Sequence, residues 1–588
     1  MTMLNEHLRY EPEESPPHLL SAGLGLQATA ILLAPIVVTV AIIMRAAEQP
    51  ESYLTWAVFC ALVISGGVTM LQAARIGRFG SGYILFMGTS PTFLVICVLA
   101  IDAGGPAMMA TLIVASSLAY FLLAARLATL RRVITPLVSG VVIMLLAAMA
   151  APIVFGMLAN VPDSTPDVAA PVIALVTVGA VTPLALRGPK TVQLWAPLIG
   201  VGLGCLVSSF WGLYDYQSVL DAGWIGLPAI EWAGLNVGLG AEFWALLLTF
   251  VLVSLVSALE TVGDGVAVQQ VSRREPRTTD FRVIQGALNA DGLGNVLSGL
   301  TGTVPNTTYS SSIPLIALTG VAARRVGVYA GAILAASAFF PKIAALLLAI
   351  PAPVVGAYVT VFLALVFVEG LKTVAHDGLD QQKTLILGMA FWTGIGFEYK
   401  FVFPDLLSGS LGTILGNGMV VGGIVAIVLI QFIGLSRRRR RARFELSASV
   451  VPQLDEFLDA FASRIGWDEA ATDRLRSAGE ETLASLLQDD DEASTGKQLV
   501  VTLDVTDDVA EMEFSAVLGD ENLEDRLAYL PEQPEIEDER EISFRLLRHY
   551  ASSVRHQKYH NADIITVLVD GNRQQDEAGA RQTAPAQD

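Results

Sequence analysis

Apolar runs of membrane-crossing character follow one another from about residue 20 to residue 433, separated by short polar connections. A helix needs about 20 mostly apolar residues to cross the hydrocarbon core. Clear examples centre on 30–43, 107–124, 138–154, 168–184, 245–258, 354–368 and 420–433, with shorter runs broken by Gly, Pro and Ser at 86–93 and 305–314. The pattern predicts about fourteen spanning or half-spanning segments. Past residue 442 the period changes. Leu454, Phe457, Leu458, Phe461 and Ile465 open an amphipathic helix over 451–487. Residues 498–505 and 510–517 read as strands, 542–553 as a helix and 563–569 as a closing strand. A polar end, 573–588, has too few apolar residues to pack and is expected to be disordered. The expected division is a segment 1–19, a transmembrane domain 20–435, a basic linker 436–450, an α/β domain 451–572 and the polar end.

Composition agrees with a chain that lives mostly outside water: 53% of residues are hydrophobic and 16% charged, where a soluble domain has about 25% charged. The net charge of −19 is not spread evenly, because 33 of the 56 acidic residues but only 12 of the 37 basic ones lie from Phe444 onward. The acidity belongs to the tail. Arg75 with Arg78, Arg126 with Arg131 and Arg132, Arg187 with Lys190, Arg273 with Arg274 and Arg277, and Arg324 with Arg325 fall in alternate connections. Asp102, Asp163, Asp167, Asp215, Asp221 and Glu231 occupy the others. The positive-inside rule then puts the basic set and both termini in the cytoplasm, as expected of a multi-pass inner-membrane protein. The arginines at 437–441 read as a juxtamembrane cluster near anionic lipid rather than a nucleic-acid site. No cleavable signal peptide is expected, given Glu6, Glu11, Glu13 and Glu14 near the start. Cys60, Cys97 and Cys205 have no ligand-like spacing, so neither a disulfide framework nor a metal site is expected. The chain contains no Walker-type phosphate loop, which argues against an ATP-driven pump or enzyme.

Ionisable groups inside apolar segments are costly and mark function by default. Glu260 and Asp264 lie four residues apart in 257–264, on one helix face. Two carboxylates this close in a low-dielectric site cannot both ionise cheaply, which suits substrate binding or ion coupling. The competing reading puts Asp264 at a solvated helix end. The run 299–314, with Pro305, Tyr309, Ser310, Ser311, Ser312 and Pro314, predicts extended backbone leading into a short helix near Ser312. Its partner is 83–93, with Phe86, Ser90 and Pro91, of the same broken character. Paired broken segments in two halves point to an inverted-repeat transporter with a midplane site.

Glu260-x-Val262-Gly263, Asp291-Gly292-Leu293, Ser298-Gly299-x-x-Gly302 and Pro305-Asn306-Thr307-Thr308-Tyr309 resemble the nucleobase–ascorbate transporters, the family of uracil and xanthine permeases. The resemblance covers about residues 10–433. It implies an all-α fold of two inverted sevens, core and gate domains, short strands in segments three and ten, and often a homodimer. It also implies uptake coupled to H⁺ or Na⁺, with no other cofactor. By position, Glu260 matches the family's substrate-binding glutamate, and Asp264 replaces a histidine implicated in proton coupling. Phe86, Ser90, Tyr309, Ser310, Ser311 and Ser312 would complete the site. The chain departs from the family at Ser311, Ser312 and Pro314, which stand for Glu or Gln, Asn and Gly, and at Ala28, which stands for His. The tail resembles a histidine-kinase-type ATPase fold of anti-sigma factors in degenerate form, since Glu481 is followed by Ser485 where that fold carries Asn. The expectation is a symporter for a nucleobase-like or other small planar or anionic solute, with a regulatory tail that binds a cytoplasmic protein. An uncoupled facilitator and a membrane receptor are the alternatives.

Overall fold

A computed structural model of the 588-residue chain describes residues 8–130, 135–236, 238, 240–275, 277–376, 380–402, 418–434, 440–488, 498–506, 509–516, 546–560 and 563–571, which fall into two compact units. The first holds α1 (His18–Ala46), α2 (Glu51–Ala74), β1 (Phe86–Thr89), α3 (Leu94–Leu130), α4 (Pro136–Leu158), α5 (Ala169–Arg187), α6 (Lys190–Ser209), the short α7 (Tyr216–Asp221) and α8 (Ala241–Val271). It continues with α9 (Phe281–Thr301), β2 (Asn306–Tyr309), α10 (Ser312–Thr319), α11 (Arg324–Ser337), α12 (Pro341–Leu348), α13 (Ala352–His376), α14 (Gln381–Glu398) and α15 (Gly418–Gly434).

Among the described residues, seven helices are long and apolar enough to cross a membrane alone, and α11 with α12, bent by 82°, would make an eighth. The rest of the expected fourteen are reached partly through shorter or less apolar helices, α6, α9, α14 and α15, and partly through breaks. α3 is two helices joined at Gly104, Gly105 and Pro106, where Gly105 has φ 72° and the proline removes an amide donor. With α3 counted twice and the short α7 and α12 set aside, the described residues hold fourteen helical or strand–helix segments.

These pack as two bundles. α1, α2, α3, α8, α10 and α11 pack mainly on one another, while α4, α5, α6, α13 and α14 form the second. Each bundle is seamed by a glycine pair that lets two backbones touch. A Cβ on Gly331 of α11 would lie 2.5 Å from the Gly66 carbonyl of α2, and one on Gly140 of α4 would lie 2.5 Å from the Gly370 carbonyl of α13. Lipid supplies no hydrophobic drive between helices, so close packing of small residues does that work.

The two broken runs form the expected short strands. β1 and β2 pair antiparallel, with Phe86 opposite Tyr309, Met87 opposite Thr308, Gly88 opposite Thr307 and Thr89 opposite Asn306. β1 runs through a 3₁₀ turn (Pro91–Phe93) into α3, and β2 runs into α10.

The second unit is a small α/β domain. Its antiparallel sheet has the order β3 (Arg440–Glu445), β4 (Gln498–Thr506), β5 (Val509–Ala516), β7 (Asp563–Asp570), β6 (Ser553–Lys558). Leu454, Leu458 and Phe461 of α16 (Val451–Ile465) and Leu475 and Leu483 of α17 (Glu469–Gln488) share one core with Leu503, Phe514 and Val567 of the sheet. Three expectations are corrected here. The amphipathic run 451–487 is two helices, because Gly466 turns left-handed (φ 83°) and ends the first. Residues 440–445 are not linker but a strand, with Arg441 and Arg443 exposed while Ala442 and Phe444 turn inward. The helix expected over 542–553 is confined, among the described residues, to 546–550, and Ser553 begins β6. Arg437, Arg438 and Arg439 and the polar end 573–588 lie outside the described residues.

Candidate substrate site

The strand crossing is built against α8, and α8 carries its carboxylates on one face. Ser257 Oγ donates to Thr307 Oγ1 at 2.9 Å. One turn on, Glu260 Oε1 accepts from Thr92 Oγ1 at 3.4 Å. Another turn on, Asp264 accepts from Thr308 Oγ1 at 2.8 Å and from Ser310 Oγ at 2.6 Å. Residues 257, 260, 261 and 264 recur at helical spacing, so one stripe of α8 serves both broken segments. Asp264 is 7% exposed, and α8 runs on to Val271. The solvated-end reading of this residue therefore fails.

Extended backbone at this depth persists only where its polar groups are satisfied by neighbouring protein. Asn295 of α9 does this for β2. Its Oδ1 accepts from the Asn306 amide at 2.8 Å, and its Nδ2 donates to the Asn306 carbonyl at 2.9 Å. Asn306 Nδ2 in turn reaches Ser65 Oγ of α2 at 2.9 Å. The Ser90 amide donates to the Pro305 carbonyl at 2.8 Å, which extends the pairing past the strands. Tyr309 closes the crossing from above. Its hydroxyl donates to the Thr89 carbonyl at 2.8 Å, and its ring lies on Gly88, where a Cβ would sit 2.4 Å from the ring. Only glycine fits there.

The structure brings together most of the residues singled out from sequence, in differing roles. Phe86 is 1% exposed and sits in β1, in the frame of the crossing. Tyr309 and Ser310 are hydrogen-bonded to protein groups, and Ser312 Oγ donates weakly to the Tyr309 carbonyl at 3.3 Å. Ser90 and Ser311 differ. Ser90 starts the turn into α3, Ser311 starts α10, and each buried hydroxyl oxygen lacks a hydrogen-bond partner. A buried hydroxyl left unpaired is uncommon and calls for an explanation. Here both sit where helix N-termini present partial positive charge.

Sequence reasoning gave no role to Asp291, noted only within a family motif. It is fully buried in α9, its Oδ2 accepts from Thr261 Oγ1 at 2.6 Å, and its Oδ1 has no hydrogen-bond partner. Thr308 Oγ1 also lies 3.4 Å from Thr261 Oγ1. Two threonines thus connect Asp264 to Asp291 inside the bundle. Thr92 was missed as well, and no periodicity could have found either residue, since their partners are distant in sequence.

Broken segments crossing mid-bundle, gripped by carboxylates on a long apolar helix, define a multi-pass membrane transport protein. The chain belongs to the xanthine/uracil permease family, described simply as the Permease family, whose model matches residues 21–403. Among its relatives, the xanthine permease XanP of Escherichia coli K12 is 27% identical over 443 residues, covering 72% of this chain and 94% of XanP. The xanthine permease XanQ of the same strain is 28% identical over 443 residues, 72% of this chain and 93% of XanQ. The uric acid permease PucK of Bacillus subtilis 168 is 28% identical over 416 residues, 70% of this chain and 93% of PucK. The solved transmembrane domain of a cyanobacterial bicarbonate transporter, BicA, aligns with a TM-score of 0.46 at 16% identity, over 71% of this chain and all of BicA's.

Proposed function

We propose that this permease is a secondary active transporter of an oxygen-bearing heterocyclic base of the oxopurine or pyrimidine kind, driven by an H⁺ or Na⁺ gradient. One observation carries the reading: the Glu260 carboxylate and two unpartnered serine hydroxyls, Ser90 and Ser311, surround a single strand crossing. A ring N–H would donate to Glu260, and exocyclic oxygens would accept from the two serines and the helix N-termini behind them. The family relatives named for xanthine and uric acid support that chemistry. Ser311 offers a short hydroxyl where the family carries a longer carboxyl or amide group, so this site would grip its base with one long acidic side chain. Asp264, with Asp291 linked to it through Thr308 and Thr261, would carry the coupling ion.

In this reading the basic connections and both termini face the cytoplasm, the bilayer is the inner membrane, and the two bundles move as core and gate of inverted halves, in a homodimer. The tail would regulate transport through a cytoplasmic protein. Nucleotide chemistry is disfavoured there because Ser485 Oγ donates to the Glu481 carbonyl of its own helix, at 2.7 Å.

Purified full-length protein in liposomes decides the matter. Labelled xanthine, uric acid and uracil are offered under an imposed pH or Na⁺ gradient. At least one base should accumulate above its external concentration, and Glu260→Gln should abolish this. Equilibration without accumulation would make the protein a facilitator, and binding without entry would make it a receptor.

A further inference from the structure

Away from the strand crossing, a dense group of ionic contacts joins the segment ahead of α1 to the feet of the elements that carry the site. Glu13 meets Arg273 as a two-pronged pair, Nη1 to Oε2 at 2.8 Å and Nη2 to Oε1 at 2.7 Å. Glu14 meets Arg274 in the same way, at 3.0 and 2.8 Å. Glu11 adds an acceptor for the Arg274 amide at 2.9 Å and lies 3.6 Å from Arg273. Arg274 also donates to the carbonyls of Leu8 and Arg9. Isolated surface pairs contribute little, but parallel fork-on-fork pairs within one network hold a geometry.

The anchors are the informative part. Arg273 and Arg274 follow directly on α8, the helix of Glu260 and Asp264. Arg273 also lies over the Tyr83 ring and donates to its hydroxyl at 3.3 Å, and Tyr83 stands three residues before β1. The Arg9 and Tyr10 amides donate to the carbonyl of Gly320, the residue that ends α10, and the Ala322 amide donates to the Tyr10 carbonyl. The Arg324 amide and the Arg325 guanidinium reach the Pro12 and Pro16 carbonyls at the start of α11. Residues 8–17 therefore tie together the run into β1, the end of α8 and the end of α10, the three pieces whose relative placement makes the site. Every anchor named lies in the first bundle.

We propose that this acidic segment is a positioning brace for substrate binding, with Glu13 and Arg273 as its central pair. The brace sets the spacing of the two helix starts around Glu260 and touches neither substrate nor coupling ion. The proposal rests on the crossing being the substrate site, so its test has one arm with substrate and one without.

Full-length Arg273→Glu, Arg273→Lys and the swap Glu13→Arg/Arg273→Glu are compared in liposomes. Arg273→Glu should raise KM for the accumulated base about tenfold, with maximal velocity per inserted molecule within about twofold of wild type. Arg273→Lys should fall between, and the swap should recover most of the loss. In the arm without substrate, a cysteine placed at Ser310 should react with a small thiol reagent several-fold faster in the Arg273→Glu background and at the original rate in the swap. Unchanged labelling overturns the brace whatever the transport result. An equal fall in maximal velocity with KM unchanged, or no recovery in the swap, also overturns it. If no base is transported while labelling responds as stated, the substrate assignment fails and the brace stands.

Discussion

The two arms of the strand crossing are alike in backbone and unlike in how their hydroxyls are used. On the β2 arm, Thr307, Thr308, Ser310 and Ser312 are each hydrogen-bonded to protein, three of them to side chains of α8. On the β1 arm, Ser90 is buried without a partner and Thr92 reaches Glu260 only at 3.4 Å. The β2 arm is mostly frame, Ser311 excepted. The β1 arm keeps more of its bonding capacity, although Thr89 Oγ1 donates to the Ile36 carbonyl at 3.1 Å. The lesson is that polar residues in a broken membrane helix do not all face the cargo. The question to ask of each is whether its bonds are already made.

That contrast can be broken in several ways. The largest effect belongs to Glu260→Gln. Losing a charge-assisted hydrogen bond of about 2–3 kcal/mol should cut uptake roughly a hundredfold, measured as initial rate in liposomes. Gly88→Ala comes next. Overpacking the Tyr309 ring should cost about 1–3 kcal/mol and lower Tm by several degrees, with transport falling in step. The arms should then separate in opposite senses. Ser90→Ala should raise KM about fivefold at unchanged Tm, whereas Thr308→Val should lower stability by about 0.5–2 kcal/mol while KM stays within about twofold. Equal behaviour of these two variants would erase the distinction.

The smallest effect is a pH dependence of the brace. Burial pushes the Glu13 carboxyl up, but the hydrogen bond and charge of Arg273, with Arg324 nearby, outweigh it and hold the group below its ordinary value of about 4.5. Glu14 is likewise held low by Arg274, while Glu11 and Tyr83 also face this pair of arginines. A carboxyl depressed in the folded state contributes stability above its unfolded value and loses it as pH falls through the folded value. The brace should therefore be intact across neutral pH and loosen only below about 4.5. A KM profile of wild type against Arg273→Glu between about pH 3.5 and 7 checks this: the wild-type KM should rise only below about 4.5, and that of the variant should be high throughout.

Much of this molecule was legible in its sequence, for physical reasons that differ by region. The crossing announced itself because Gly, Pro and Ser cannot continue a membrane helix, so 86–93 and 305–314 had to be something else. Glu260 stood out as a carboxylate in an apolar run. Asp291 did not, because its meaning comes from Thr261, thirty residues away, and from burial that no local pattern records. The acidic stretch Glu11–Glu14 read as ordinary polar terminus because its arginine partners lie 260 residues on. In the tail, β3 hid inside an arginine run. β6 hid because its inward positions include His556 and Lys558, each 2% exposed, where an apolar residue would have signalled a strand.

The central question is whether the Glu260 carboxylate meets the cargo. Thermal unfolding of full-length protein with and without saturating base measures that without requiring transport, since a ligand that binds the folded state raises Tm by an amount that grows with its concentration relative to Kd. Wild type and Thr308→Val should both show the ligand-induced rise, and Glu260→Gln should show none. A Glu260→Gln protein stabilised as fully as wild type would place the base somewhere other than between the two strand–helix pieces.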